Sequence, residues 1–150
     1  MNVLFVCTGN SCRSVMAEGL FRRAVARRAK DFVIGSAGVA AIDGYPPMPE
    51  TVRAMNEIGI DVSAHRSRRL TREMVDRADH IYVMEEAHRQ VLLNFWPQAG
   101  RKLCLLMDFS PAADKDGGRD VPDPIQKTDD FYRQVLQMIG DCVKKIAEGL

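Results

Sequence analysis

The sequence has no apolar run near the roughly 20 residues that span a bilayer. The string from Val3 to Val6 is also too short for a signal-peptide core, and no basic segment precedes it. Charge of one sign is not in excess: 21 Lys and Arg against 20 Asp and Glu leave a formal net charge of +1. That excludes a strongly basic nucleic-acid binder. Cysteine is scarce. Cys7, Cys12, Cys104 and Cys142 are too few and too scattered for a disulfide scaffold. His65, His80 and His88 make no H-x-x-x-H pair and no Cys-x-x-Cys occurs, so no metal or other cofactor is expected. Neither G-x-x-x-x-G-K-[ST] nor G-x-G-x-x-G is present, which removes the phosphate loops of the common nucleotide binders. No repeat and no low-complexity tract appears.

What is present is ordinary in bulk. With 46% hydrophobic and 27% charged residues in a chain of 150, the composition is that of a globular protein. A single domain over 1–150 is expected, large enough to bury about two-thirds of its unfolded surface. The thiols are expected to be reduced, in a cytoplasmic setting.

Short apolar runs alternate with helical stretches. Val3-Leu4-Phe5-Val6 reads as a strand buried on both faces. From Ser14 to about Ala29, Met16, Leu20, Ala24 and Arg27 recur at helical spacing, opposite Glu18, Arg22, Arg23 and Arg28. Phe32-Val33-Ile34 is a second strand, ended by Gly35-Ser36-Ala37-Gly38. A helix follows from about Pro49 to Ile58, with Gly59 as its C-cap, and Thr71 caps a short one. Ile81 to Met84 and Leu103 to Met107 are the third and fourth strands, separated by a helix from Glu85 to Leu93. Residues 110–127, with Pro111, Gly117, Gly118, Pro122 and Pro124, form a long irregular segment. Thr128 or Asp129 opens a last helix carrying Phe131, Val135, Met138, Cys142 and Ile146 on one face. The alternation indicates an α/β three-layer sandwich, a four-stranded parallel sheet with helices on both faces. Ligands in such sheets bind beyond the carboxyl ends of strands, here at residues 7–13.

That loop reads C-x5-R-S, from Cys7 at a strand end to Arg13 and Ser14 at a helix start. Five intervening residues can curl so that backbone N–H groups converge on an anion, and the helix N-terminus adds its dipole. Gly9 permits a positive φ, and Asn10 tolerates the left-handed region. Arg13 offers a planar fork to two phosphoryl oxygens. A thiol among such positive groups reacts as thiolate, a nucleophile for covalent catalysis. The competing reading of Cys7 is a small buried hydrophobe.

Cys7-Thr8-Gly9-Asn10-Ser11-Cys12-Arg13-Ser14 resembles the signature loop of the low-molecular-weight protein tyrosine phosphatases, a family that includes a protein-arginine phosphatase branch. Ser36-Ala37-Gly38, Gly59-Ile60-Asp61 with His65-Arg66-Ser67-Arg68, and Asp123-Pro124 extend the resemblance over nearly the whole chain. It implies Cys7 as nucleophile, Arg13 as the clamp on the phosphoryl oxygens, and Asp123 as general acid, its backbone fixed by Pro124. Asp120 is the nearby carboxylate without a following proline. Thr8, Gly9, Asn10, Ser11, Cys12 and Ser14 would line the substrate. Ser14 would bond the Cys7 sulfur, and Asn10 would brace the loop with Ser14 and His65. The alternative for His65 is a solvated loop side chain. Cys12 would form a reversible disulfide with Cys7, or else only pack against the loop. Cys104 and Cys142 read as core. A phosphorylated protein or peptide is the implied partner, with no nucleic acid and no membrane, for a monomer or weak homodimer.

The sequence also departs from the tyrosine-specific pattern. Aromatic residues that flank a phenyl ring there correspond to Ile125 and Ile42 here, with Tyr45 the neighbouring aromatic. Ser11 replaces a bulky aliphatic residue and resembles the threonine of the arginine phosphatase branch, which makes phosphoarginine the alternative substrate. Thioredoxin-coupled arsenate reductases share a similar loop, but they need two cysteines after the third strand, where this chain reads Met84-Glu85-Glu86-Ala87-His88. Arg22, Arg23, Arg27, Arg28 and Lys30 read as a solvated helix face. Arg66, Arg68 and Arg69 could steer an acidic phosphopeptide.

Overall fold

The computed structural model describes residues 1–111 and 120–150. Gly117 and Gly118 lie outside the described residues. Four strands, β1 (Asn2–Cys7), β2 (Val33–Gly38), β3 (His80–Val83) and β4 (Leu103–Leu105), form one parallel sheet in the order β2-β1-β3-β4. Helix α1 (Arg13–Ala24) connects β1 to β2, and α2 (Pro49–Glu57) and α3 (Arg72–Arg77) lie between β2 and β3. Helix α4 (Glu86–Phe95) connects β3 to β4, and α5 (Asp129–Gly149) completes the fold. No helix among the described residues is long and apolar enough to cross a membrane.

β1 is central and its side chains alternate between two cores, which is why its sequence is continuously apolar. Val3, Phe5 and Cys7 join Phe21 of α1 with Tyr132 and Ile139 of α5. Leu4 and Val6 join Ile81, Val83 and Leu92 on the other face. The Phe5 ring lies 5.6 Å from those of Phe21 and Tyr82. Helices therefore cover both faces, and the β1 terminus, with Cys7, emerges at the centre of the carboxyl edge.

Several boundaries differ from the sequence reading. The first helix ends at Ala24, not Ala29, and Ala26–Asp31 winds as a 3₁₀ turn in which Arg28 leaves helical angles (φ −121°). The chain must turn there to bring β2 beside β1, and tighter winding achieves it. Gly35-Ser36-Ala37-Gly38 does not end β2 but forms most of it. Its small residues serve close approach: a Cβ on Gly35 would meet Arg68 Nη2 at 2.8 Å. The fourth strand stops at Leu105, and Leu106–Phe109 is a 3₁₀ turn. On α5, Thr128 caps the Phe131 N–H as expected. The buried face runs through Tyr132, Val135, Leu136, Ile139, Cys142, Val143 and Ile146, with Phe131 and Met138 half-buried at its margin. Three arginines read as a solvated face have structural bonds instead: Arg22 to the Ile34 carbonyl at 2.5 Å, Arg23 to Ile58 at 2.6 Å and Arg28 to Ala147 at 3.0 Å. Ile58 and Ala147 lie at helix C-termini, where orphan carbonyls recruit such donors, and Ile34 lies in the edge strand β2.

Candidate active site

Cys7 ends β1, and the chain then wraps through residues 8–12 into α1. Asn10 takes the left-handed backbone conformation (φ 55°), whereas Gly9 does not have a positive φ. The turn therefore rests on Asn10 rather than on both residues. Its side chain explains why an amide sits there. Asn10 Nδ2 donates to Ser14 Oγ at 2.8 Å and to Ser36 Oγ at 2.9 Å, and its Oδ1 accepts the Arg68 N–H at 2.9 Å. Its backbone carbonyl lies 3.1 Å from His65 Nε2, which must donate because a carbonyl only accepts. The network expected of Asn10, Ser14 and His65 is thus formed, and Ser36 and Arg68 extend it.

The Cys7 sulfur is buried at 2.9 Å from Ser14 Oγ and 3.3 Å from the Asn10 N–H. Ser14 Oγ accepts from Asn10 Nδ2, so its own proton is directed at the sulfur. Among the described residues, the N–H groups of Gly9, Ser11 and Cys12 have no partner, and the first turn of α1 adds further free N–H groups. This is an anion cradle wrapped around a thiol.

Close approach of β2 shapes the cradle from behind. The Thr8 carbonyl accepts the Ala40 N–H at 2.9 Å, and the Cys7 carbonyl accepts that of Val39 at 2.9 Å. A Cβ on Gly38 would collide with the Thr8 carbonyl oxygen and come within 2.9 Å of the Asn10 nitrogen.

Arg13 is 2% exposed, so its charge must be paired. Nη1 donates to Glu85 Oε2 at 2.6 Å and to the Val121 carbonyl at 2.8 Å, while Nη2 lies 3.5 Å from Thr8 Oγ1. Those bonds fix the plane of the guanidinium and leave Nε and much of Nη2 for a ligand. Glu85 was not legible as a site residue, because a Glu after a strand reads only as a helix start. The Val121 contact does more: the Val121 N–H also bonds the Met84 carbonyl at 2.8 Å. Residue 121 is thus stitched to Arg13 and to the end of β3, which brings the Asp123 segment to the cradle. Asp123 is exposed, and its Oδ1 accepts the Ile125 N–H at 3.0 Å, a turn set by Pro124 between them. Asp120 is occupied otherwise, since its Oδ1 accepts the Glu86 N–H at the start of α4 at 2.8 Å.

Cys12 is buried, with its sulfur 3.7 Å from Tyr132 Oη and 3.8 Å from Ser11 Oγ. Burial pushes its thiol above the ordinary value. Cys142 is buried in the α5 core and pushed up to about 11 by that burial, and half-buried Cys104 is raised for the same reason. Both pack as expected. Ile42 and Tyr45 are exposed, at 69% and 61%, and Ile125 is 42% exposed. Arg66 bonds the Ser63 and His65 carbonyls, and Arg68 bonds the Ser36 carbonyl. Arg69 alone of those three keeps its guanidinium free of protein partners among the described residues.

Sequence and structure comparisons show what the chain as a whole resembles. The profile of the low molecular weight phosphotyrosine protein phosphatase family matches residues 2–150. A probable low molecular weight protein-tyrosine-phosphatase EpsP of Ralstonia nicotianae is 35% identical over 137 residues, covering 91% of this chain and 87% of that protein. A protein-arginine-phosphatase of Bacillus subtilis is 31% identical over 150 residues, covering 100% of this chain and 97% of that protein. The crystal structure of a low molecular weight protein tyrosine phosphatase from T. tengcongensis superposes with a TM-score of 0.90 at 35% identity, covering 100% and 99% of the two chains.

Proposed function

The chain belongs to the low molecular weight phosphotyrosine protein phosphatase family, and from that premise we propose that it hydrolyses phosphotyrosine in proteins through a cysteinyl-phosphate at Cys7. The observation that carries this reading is the Cys7 sulfur, held at 2.9 Å by the Ser14 hydroxyl inside an N–H cradle. The Cys7 thiolate attacks phosphorus, the S–P bond forms, and the P–O bond to the tyrosyl oxygen breaks. Asp123 gives its proton to that leaving oxygen. Water then attacks the phosphocysteine, Asp123 takes its proton, and the S–P bond breaks to release phosphate. Arg13 and the loop N–H groups carry the charge on the equatorial oxygens. Substrate binding falls to Thr8, Gly9, Asn10, Ser11, Cys12 and Ser14. Oxidation of Cys7 by peroxide to a sulfenic acid, and its condensation with the Cys12 thiol to a disulfide and water, protects the nucleophile. The setting of this chemistry is cytoplasmic, in one domain over 1–150.

A second reading, phosphoarginine hydrolysis by the same steps, is favoured by the short hydroxyl of Ser11 and by aliphatic Ile42 and Ile125 where stacking rings would sit. Such stacking is worth roughly 0.5–1.5 kcal/mol, and Tyr45 is the one exposed ring close by in sequence to supply it. Rates on phosphotyrosine and phosphoarginine versions of one peptide separate the two. The first reading expects the higher kcat/KM on phosphotyrosine; a reversed order assigns the second, and no turnover of either overturns both.

A further inference from the structure

The steps above leave His88 without a task, yet it is a buried side chain with a partner at each ring nitrogen. It lies in the first turn of α4 with its side chain 4% exposed. Its Nδ1 is 3.1 Å from the Glu85 backbone nitrogen. That N–H can only donate, so Nδ1 carries no proton. Burial holds the imidazole below its ordinary value, so the neutral ring keeps its single proton on Nε2. Nε2 is 2.8 Å from Thr8 Oγ1, against 3.6 Å from Glu85 Oε2, so the hydroxyl is its hydrogen-bond partner. Thr8 Oγ1 also faces Arg13 Nη2 at 3.5 Å. A hydroxyl that receives protons from two sides has only its own O–H left to give, and Thr8 is exposed at the loop mouth with no acceptor for that proton among the described residues.

We propose that His88 is a positioning residue that orients the Thr8 hydroxyl as a proton-donating arm of the phosphate cradle, while Glu85, on the same helix start, sets the plane of Arg13. This rests on the phosphatase reading of the Cys7 loop. One helix terminus thus sets two of the groups that meet the phosphoryl oxygens, and the backbone N–H of Glu85 fixes the ring tautomer on which the hydroxyl's direction depends.

The test separates the two ring nitrogens. The amide of His88→Gln can place an N–H near the position of Nε2, whereas His88→Asn keeps an acceptor for the Glu85 N–H but falls short of Thr8. We expect His88→Gln to retain kcat/KM on p-nitrophenyl phosphate within about threefold, and His88→Asn to lose about tenfold, the worth of one good hydrogen bond. Inorganic phosphate should bind about tenfold more weakly to His88→Asn than to wild type. Thr8→Val should show the same losses, and the double variant Thr8→Val/His88→Asn no more than either single one. Equal losses in His88→Gln and His88→Asn, or losses that add in the double variant, would overturn the proposal and leave His88 a helix cap only. Should the His88 variants not fold, nitrogen-15 spectra of the wild type decide: a proton on Nε2 alone supports it, and a proton on Nδ1 refutes it. Failure of the functional reading shows separately, as a wild type that turns over no phosphomonoester. The phosphate affinities and the tautomer then still decide the role of His88.

Discussion

At the scale of single residues, the site is a set of groups whose freedom has been removed. Arg13 is pinned by Glu85 and Val121, Asn10 by five bonds, and Ser14 by Asn10, so the cradle is formed before a ligand arrives. Asp123 is the exception, exposed and tied only to the next turn. Asp123→Asn should therefore lower kcat by about 10²–10⁴ on a phenyl phosphate, and by much less on p-nitrophenyl phosphate, whose leaving group needs no proton. Steady-state rates on both substrates check this, and equal losses would remove the assigned acid. For Cys12, the expected outcome is that peroxide inactivates the wild type in a form that dithiothreitol reverses, whereas Cys12→Ser is inactivated irreversibly. Activity recovered after reduction is the readout. Most of these residues were legible because the chemistry requires their types within eight consecutive positions. Glu85 and His88 were not: they reach the loop from a helix 72 and 80 positions away, and nothing in their local sequence distinguishes them from ordinary helix-start residues.

At the scale of elements, the cradle is held between β2 and the start of α4. Gly38 is where β2 runs closest to the loop, and a methyl group there meets backbone on two sides. Backbone cannot step aside as a flexible side chain can, so Gly38→Ala should cost more activity than stability. We expect kcat/KM to fall at least tenfold and the melting temperature by a few degrees, as read by calorimetry beside the kinetics. The α4 terminus makes stability depend on pH. Burial and Arg13 hold folded His88 below its ordinary value, against Glu85, Asp120 and Asp123. The unfolded chain takes up a proton near pH 6.5 that the folded chain refuses. The contribution is thus complete above about pH 6.5 and is lost as pH falls toward the lower folded value. Urea unfolding at pH 7.5 and 5.5 should show this decline, reduced in His88→Gln. The helices α2, α3 and α5 were readable from Pro, Thr caps and apolar spacing. The glycine-rich end of β2 was misread, because a glycine that admits a neighbouring backbone, as Gly38 does, looks in sequence like one that ends a strand.

At the scale of the whole molecule, β1 joins stability to the proposed chemistry: the strand that fills both cores ends in Cys7, the nucleophile proposed above. Phe5→Ala removes a ring that is 0% exposed and should destabilise the fold by about 3–5 kcal/mol. Chemical denaturation measures this, and the surviving folded fraction should keep a weakened but detectable activity. The α/β class and the position of the site were legible because strand-helix alternation and the carboxyl-edge rule depend only on pattern. The pairing of Arg13 with Glu85 depends on how β1 and β3 lie side by side, which no local pattern encodes. The central claim, a phosphoryl group carried on Cys7, is tested most directly by mixing the protein with a phosphotyrosine peptide, quenching in acid within milliseconds and mapping the adduct by mass spectrometry. The expected result is a phosphoryl group on the Cys7 peptide that disappears in Cys7→Ala; turnover with phosphate found on no residue, or on a residue other than Cys7, would contradict it.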